Sequence, residues 1–365
     1  MPDIQSTIYQ LKYVADFRCD SSKCKQNCCQ IYSIWIEDYD YELLHTKAPD
    51  VAKLITKKDG KYLVPSDDDA CLFLKDGLCS IHAQYGENTI PEVCYTYPRL
   101  YFEMDNKTYV TSNLLCDYII KLIYSAKNPF DIIENTSCRI PLYIDEQKQY
   151  TYDNFKDLYK NNLIDLYTDV LKLVDNDNLT STEVITALVD LSSKLDKSPK
   201  GQWHNIINEY ITGFDINSVE KNTDFDSQQE NLKTVADIFI DIYTKGQNQN
   251  ALEVLTKLKD NIENNPDNFS LEKDQALKTY IKIKLSENFF PLNAWYSCMT
   301  EMSMLVSGYM LLKEALKLND SISIDDISYN ITSIELAMLI YRSDLFETFY
   351  SKKINTYVFL MTLIK

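Results

Sequence analysis

Glycine is scarce in this chain, with 7 in 365 residues, where a share of about 7% is usual. Nucleotide-binding parallel sheets depend on glycine-rich turns that let the backbone approach a phosphate. Neither GxG nor GxxxxGK[ST] occurs, which speaks against a Rossmann-type or P-loop enzyme. Long apolar runs are missing too, and none approaches the roughly 18–20 residues needed to span a bilayer. The opening MPDIQSTIYQLKYVADF has no basic start followed by an apolar core, so no signal peptide is read there and the expected address is the cytoplasm. Basic charge is in deficit: the net charge is −17, which counts against wrapping nucleic acid. An acidic surface serves solubility, and it also attracts a lysine-rich protein.

With 45% hydrophobic and 25% charged residues, the chain reads as globular and long enough for one large or two ordinary domains. Its most uneven feature is cysteine. Nine of the ten lie between Cys19 and Cys138, and Cys19, Cys24, Cys28 and Cys29 fall within eleven residues. Cys71, Cys79, Cys94 and Cys116 follow; Cys138 and Cys298 stand apart and read as buried free thiols. In a reducing compartment disulfides are rare, so clustered cysteines point to metal binding. Thiolates at short spacing bring soft ligands together for little loop-closure entropy, as zinc and iron–sulfur centres require. Eight thiols exceed one centre's need, leaving either two sites or one site with spare cysteines. His82, three residues after Cys79, is either a further ligand or a surface histidine; His45 and His204 read as structural. Cys24-xxx-Cys28 begins like a radical-enzyme CxxxCxxC loop, but position 31 is Ile. The spacings also miss the ferredoxin runs.

Texture changes along the chain. Up to about residue 145 the segments are short and turn-bounded: Ile34-Trp35-Ile36 reads as either a short strand or the start of a helix, and Lys61-Tyr62-Leu63-Val64-Pro65 as an extended piece ending in a polar turn. Asp76-Gly77 reads as the tight turn of a small hairpin that brings Cys71 and Cys79 together, and Ile81–Tyr85 as the start of a helix. From about 146 onward the periodicity is helical, with Phe155, Leu158, Leu163, Leu166, Val170, Leu171 and Leu173 recurring at helix spacing. Thr180-Ser181-Thr182-Glu183 has the capping-box pattern. Further helical patterns cover 202–213, 229–245, 250–264, 271–288, 294–318 and 331–350, with polar joints at Asp175–Asn178 and Asn264–Asn268. The expected fold is mainly α: a cysteine-rich, metal-cluster domain with short strands over 1–145, then an all-α helical domain over 146–365.

The ordered motifs Phe17-Arg18-Cys19-x4-Cys24-x3-Cys28-Cys29, Trp35-Ile36, Cys71-Leu72-Phe73-Leu74, Gly77-Leu78-Cys79-Ser80-Ile81-His82, Tyr85-Gly86-Glu87 and Cys94-x2-Tyr97-Pro98-Arg99 resemble the flagellin lysine N-methylase family, whose cysteine-rich relatives bind iron–sulfur or zinc. Fainter likeness reaches Phe289-Phe290-Pro291 and a helix from about Trp295. The chain departs from the family pattern after Cys116, where Asp117-Tyr118-Ile119-Ile120-Lys121 replaces a Pro-Glu-Ala-Ala-Arg run.

The resemblance implies methyl transfer from S-adenosylmethionine to surface lysines of flagellin or another lysine-bearing protein. It also implies an iron–sulfur centre, of the 4Fe-4S kind with zinc as the alternative, on Cys19, Cys24, Cys28, Cys29, Cys71, Cys79, Cys94 and Cys116. Such an enzyme has to desolvate and deprotonate a lysine of ordinary pKa about 10.4, then hold the amine in line with the methyl group. Aromatic faces suit both cations, and Tyr95, Tyr97, Tyr101 and Tyr109 stand beside the last of these cysteines. Tyr97 and Arg99 are the expected cofactor contacts, Arg99 by a bidentate grip on a carboxylate; its alternative is an ion pair tying the cysteine region to the helices. Glu87 and Glu92 are either bases or solvated loop carboxylates. A non-enzymatic metal-binding interaction module and a redox protein are the competing readings.

Overall fold

The computed structural model describes residues 7–25, 27–67, 70–104, 107–134, 139–141, 164–215, 219, 256, 269–292, 297–317 and 322–340. Cys138, Phe155, Leu158, Leu163, Trp295, the Asn264–Asn268 joint, the pattern at 229–245, that at 250–264 apart from Thr256, and the end of that at 331–350 lie outside the described residues. Contacts divide the chain into one unit of Met1–Phe102 with Asn106–Asp145 and another of Glu103–Asp105 with Glu146–Lys365.

The first unit is built on strands. β1 (Thr7–Leu11) is rich in residues that suit a pleated surface. It runs parallel to β10 (Lys107–Ser112), with Tyr9 opposite Tyr109, and antiparallel to β11 (Ile132–Glu134). With β9 (Arg99–Met104) the sheet order is β11-β1-β10-β9. β10 is buried from Thr108 to Ser112, as an interior strand covered on both faces would be. Helix α1 (Lys12–Asp16) and the amphipathic α7 (Asp117–Ser125) contribute Tyr13, Val14, Ile119, Ile120 and Ile123 to the core beside it.

Between β1 and β9 the chain makes one long excursion that carries the cysteines. It includes the short helix α2 (Cys28–Ile31), β2 (Trp35–Ile36), α3 (Asp38–Lys47) and α4 (Pro49–Ala52). β3 (Thr56–Lys58) and β4 (Lys61–Leu63) join β2 in the order β2-β4-β3. Two small hairpins follow, β5 (Ser66–Asp67) with β6 (Ala70–Cys71) and β7 (Leu74–Lys75) with β8 (Leu78–Cys79). Helices α5 (Ser80–Tyr85) and α6 (Glu92–Thr96) lead back to the large sheet. Asp76 and Gly77 both have positive φ (49° and 79°), the two-residue turn that matches strand twist. Asp59-Gly60 makes the same turn between β3 and β4 (50° and 86°), a second instance of the same dipeptide signal.

An apolar core organises this excursion: Ile36, Leu44, Ala48, Val51, Ala52, Ile55, Val64, Phe73 and Ile81, with Cys71 and Cys79 at its edge. That corrects the expected fold in one respect. The region was expected to be a domain held by a metal cluster, but hydrophobic burial across helices and hairpins holds it. Among the described residues no three His, Cys, Asp or Glu side chains are grouped so as to hold a metal ion.

The second unit is helical where described: α8 (Ile164–Val174), α9 (Ser181–Asp196), α10 (Trp203–Gly213), α11 (Leu271–Glu287), α12 (Cys298–Lys317) and α13 (Ile324–Ile340). α12 touches α9, α11 and α13, and its Leu305, Val306, Tyr309 and Leu312 are fully or almost fully buried. Thr180 and Glu183 form the reciprocal capping box at the start of α9. At its other end Asp196 accepts from the first backbone N–H groups of α12, those of Cys298 (2.8 Å) and Met299 (2.9 Å). Among the described residues no helix is long and apolar enough to cross a membrane.

Candidate functional site

The expected site residues all belong to the first unit, and short elements present each of them. Asp20 caps a 3₁₀ turn at Ser21–Lys23 that sits between Cys19 and Cys24, and Asn27 caps the helical turn carrying Cys28 and Cys29. The Ser21 hydroxyl donates to the carbonyl of Gly77, which ties this turn to the hairpin bearing Cys79. α2 touches β6, so Cys28 and Cys29 lie on elements adjoining that of Cys71. Asp117, buried at the start of α7, accepts the backbone N–H of Lys25 at 2.7 Å and pairs with Lys121 at 3.1 Å. Lys121 in turn donates to the carbonyl of Lys23 at 2.7 Å. The sequence thus folds the early cysteine loop back onto a hairpin and a helix about 55 and 95 residues further along.

The nine described cysteines are free thiols; Cys19 is exposed, Cys116 and Cys298 are buried, and Cys24, Cys28, Cys29, Cys71, Cys79 and Cys94 are half-buried. Although Cys19 lies at the surface, the chain packed on its inner side desolvates the thiol and pushes it up to about 11, helped by Cys29, Cys24 and Cys79. Cys24 also rises to about 11, through burial and then the Asp117 carboxylate. Cys116 rises to about 12 by burial, although the N–H groups of Ile119 and Tyr118 pull the other way. Cys29 is pushed up first by its hydrogen bond with Cys28 and then by burial. Cys71, Cys79 and Cys94 are raised mainly by burial. Each of these shifts favours the thiol over the thiolate.

The expected iron–sulfur or zinc centre on Cys19, Cys24, Cys28, Cys29, Cys71, Cys79, Cys94 and Cys116 is accordingly corrected. Metal ligation needs several deprotonated donors converging on one point. Here the eight cysteines are distributed over a turn, two hairpins and three helix starts, and no three of the described donors are grouped so as to hold a metal ion. His82 is exposed on α5 and joins no such group.

Arg99 is built into the framework. Its guanidinium donates to the carbonyl oxygens of Tyr95 (2.8 Å) and Phe17 (3.3 Å) and lies over both rings, at 5.2 Å from Phe17 and 5.3 Å from Tyr95. Tyr95 also carries the Arg139 guanidinium at 4.9 Å and accepts the Arg139 backbone N–H. With Arg99 engaged on two carbonyls, no carboxylate fork is assembled around it and Tyr97, and the S-adenosylmethionine expected there is corrected as well.

Tyr97 is arranged differently. Its phenol oxygen is buried. Burial raises its pKa, and Cys116, Tyr32, Cys28 and Cys24 are the ionisable groups that bear on it most. The Tyr32 ring stands edge-on to it, with centroids 6.2 Å apart and planes at 61°. The two phenols are neighbours: a hydrogen-bonding interaction with Tyr97 pulls the Tyr32 pKa down against the rise caused by burial.

Two further polar residues were not singled out by the sequence. Buried Asp40 accepts the Glu92 backbone N–H at 2.8 Å, and the Tyr39 phenol donates to the Glu92 carboxylate at 2.7 Å. Burial raises the Asp40 carboxyl against the pull of that N–H and of Arg139. Glu92 is thus a buried, hydrogen-bonded carboxylate, neither free base nor solvated loop residue, whereas Glu87 is exposed. Only the helix-start position of Glu92, just after Pro91, hinted at this.

The likeness to known proteins is to lysine-N-methylases. Over 159 residues the chain is 24% identical to the lysine-N-methylase of Salmonella choleraesuis (strain SC-B67), a match covering 39% of this chain and 40% of that one. The lysine-N-methylase of Salmonella typhimurium (strain LT2) matches to the same extent. Flagellar biosynthetic protein FliU of Salmonella muenchen is 22% identical over 143 residues, 36% of this chain and 85% of that one. The chain spans about two-fifths of the length of the two lysine-N-methylases it matches. No family model matches the chain, and no solved structure matches it. The resemblance to a flagellin lysine N-methylase family with iron–sulfur or zinc-binding relatives is corrected accordingly: a distant likeness to lysine-N-methylases and FliU stands, without the metal centre.

Proposed function

We propose that this chain N-methylates lysine side chains of a protein partner, with flagellin as the first partner to test. The match to two lysine-N-methylases over 159 residues carries the reading, and the match to a flagellar biosynthetic protein supports the choice of partner. The net charge of −17 adds a physical reason, since it favours encounter with a lysine-rich surface. The chemistry asks for a site that strips water from an ammonium group and lowers its pKa from about 10.4. A region of neutral thiols and phenols is suited to that. Coexpression with flagellin in a flagellated host lacking its own lysine methylase tests the reading. Peptide mass mapping is expected to find mono-methyl increments on flagellin lysines; unmodified lysines beside well-folded protein overturn it.

A further inference from the structure

We propose that the cleft between the α8–α9 joint and the first turns of α11 docks a lysine-bearing segment of a protein partner, the aliphatic stem of one lysine lying on Leu271 and its ammonium among the carboxylates of Asp177, Glu272 and Asp274. The choice of a lysine-rich partner rests on the function proposed above; the cleft itself rests on the geometry of the helical unit.

The cleft has a volume of about 720 Å³ and lies wholly within that unit, room enough for a few side chains. Asp177 and Leu179 line it from the joint, and Leu271, Glu272, Asp274 and Ala276 from the helix. Leu271 is 85% exposed, more than any other large apolar side chain among the described residues. A helix start explains the acids of α11, since carboxylates suit its positive end. It explains neither the leucine left in solvent beside them nor the third acid, Asp177, on the other element. An apolar wall edged with carboxylates suits lysine, whose four-carbon stem covers apolar surface while its ammonium stays at the rim.

The charges of the cleft are uncompensated. Among the described residues Asp177, Glu272 and Asp274 have no cationic partner. The cleft's own ammonium is engaged elsewhere: Lys278 is buried and donates to the carbonyl of Asn176 at 3.0 Å. Asp274 is also held in place, one of its oxygens accepting the Ser181 backbone N–H at 3.0 Å and the Ser181 hydroxyl at 2.6 Å. Its second oxygen is thereby preset for a ligand, at little further cost in side-chain freedom. A lysine held by carboxylates keeps its charge, whereas the amine that accepts a methyl group has to be neutral. The cleft is therefore an anchor that selects and orients the partner, apart from the chemistry.

Fluorescence anisotropy of a labelled alanine-based peptide carrying lysines and a leucine, titrated with the full chain, tests this without any methylation assay. The wild type is expected to bind it and to ignore the counterpart with glutamine in place of lysine. Asp177→Lys with Glu272→Lys should weaken binding about tenfold, and Leu271→Ser about threefold. These side chains are exposed, and circular dichroism checks that the fold persists. Glu42→Lys with Glu87→Lys changes the net charge equally at exposed positions of the other unit and should leave binding unchanged. Absence of binding to the wild type, wild-type binding by either cleft variant, or equal weakening by the control pair overturns the proposal. Binding in the expected pattern with no methylation of flagellin removes the methylase reading and leaves the cleft. Flagellin methylated at the wild-type rate by both cleft variants removes the cleft and leaves the methylase reading.

Discussion

Lys284 and Glu335 meet at 2.7 Å inside the helical unit, α11 against α13. Lys284 also pairs with Glu287 at 2.9 Å, and the Tyr280 phenol donates to the other oxygen of Glu335 at 2.8 Å. Burial alone lowers the Lys284 pKa, but the Glu287 and Glu335 carboxylates outweigh it and hold the ammonium above its ordinary value. Two carboxylates share one ammonium, and burial raises Glu335. The two partners are therefore unequal. Lys284→Met leaves buried carboxylates uncompensated and should cost about 3–5 kcal/mol, whereas Glu335→Gln leaves the Lys284–Glu287 pair and should cost about 1 kcal/mol. Urea unfolding at pH 7 measures both, and equal costs would refute the asymmetry. Because the folded pKa of Glu335 lies above its unfolded value of about 4.3, its contribution is complete below that pH and declines as pH rises through the folded value. Glu335→Gln should lose that decline.

The cysteine region makes a separate prediction about reactivity. Cys19 and Cys24 are both pushed up to about 11, against about 8.5 for a free cysteine. The reactive thiolate should then be about 300-fold scarcer than for free cysteine at pH 7, slowing alkylation by iodoacetamide accordingly, and labelling should rise about tenfold per pH unit toward pH 11. Mass spectrometry of the labelled peptides reads this site by site. Labelling of Cys24 at the free-cysteine rate would contradict it. The sign for stability follows: raised thiols favour the folded state below their ordinary pKa, and that contribution fades as pH climbs through about 11 to 12.

Asp117 anchors the early cysteine loop through the Lys25 N–H and the Lys121 ammonium. Asp117→Ala should cost about 2 kcal/mol, as for loss of a buried charge-assisted hydrogen bond. It should also open Lys23 and Lys25 to trypsin. Limited proteolysis at equal folded fraction gives the readout, and an unchanged cleavage rate after Lys25 would refute the anchor.

Gly77 occupies a left-handed position, φ 79°, at the tip of the β7–β8 hairpin, and its carbonyl takes the Ser21 hydroxyl. Space is not the obstacle to a side chain there, since an added Cβ meets Ser22 at 3.7 Å, an ordinary contact. The φ angle is the obstacle, and Gly77→Ala should cost about 1 kcal/mol. Gly77→Asn, which tolerates that conformation better, should cost less in the same thermal unfolding series.

Local signals were readable in the chain. Thr180 and Glu183 announce their helix start, and Asp76-Gly77 announces its hairpin, because both depend on residues a few positions apart. Asp59-Gly60 carries the same turn signal as Asp76-Gly77 but sits between the lysine-flanked, exposed strands β3 and β4, which show little apolar alternation. The parallel pairing of Tyr9 with Tyr109 was not readable, since a strand's own residues do not specify a partner 100 positions away. The site was legible in residue type and less so in role. Arg99 fits a carboxylate grip in one dimension, but folding gives its N–H groups to the carbonyls of Tyr95 and Phe17. Clustered cysteines suggested a metal, but folding disperses them over separate elements, and no three of the described ones are grouped so as to hold an ion. Tyr97 stood out only among 27 tyrosines; its pairing with Tyr32, 65 positions earlier, appears only once the fold is in place.

β1 lies between β10 and β11, strands that leave the ribosome about a hundred residues after it. Until they emerge, Thr7–Leu11 has both edges unpaired, and an unpaired strand of β-formers is a target for mispairing. The cysteine-bearing excursion, with its own apolar core and local hairpins, is free to collapse during that wait. Assembly would then run from that excursion outward, with β1 seated only after its distant partners arrive, at a rate set by those non-local contacts.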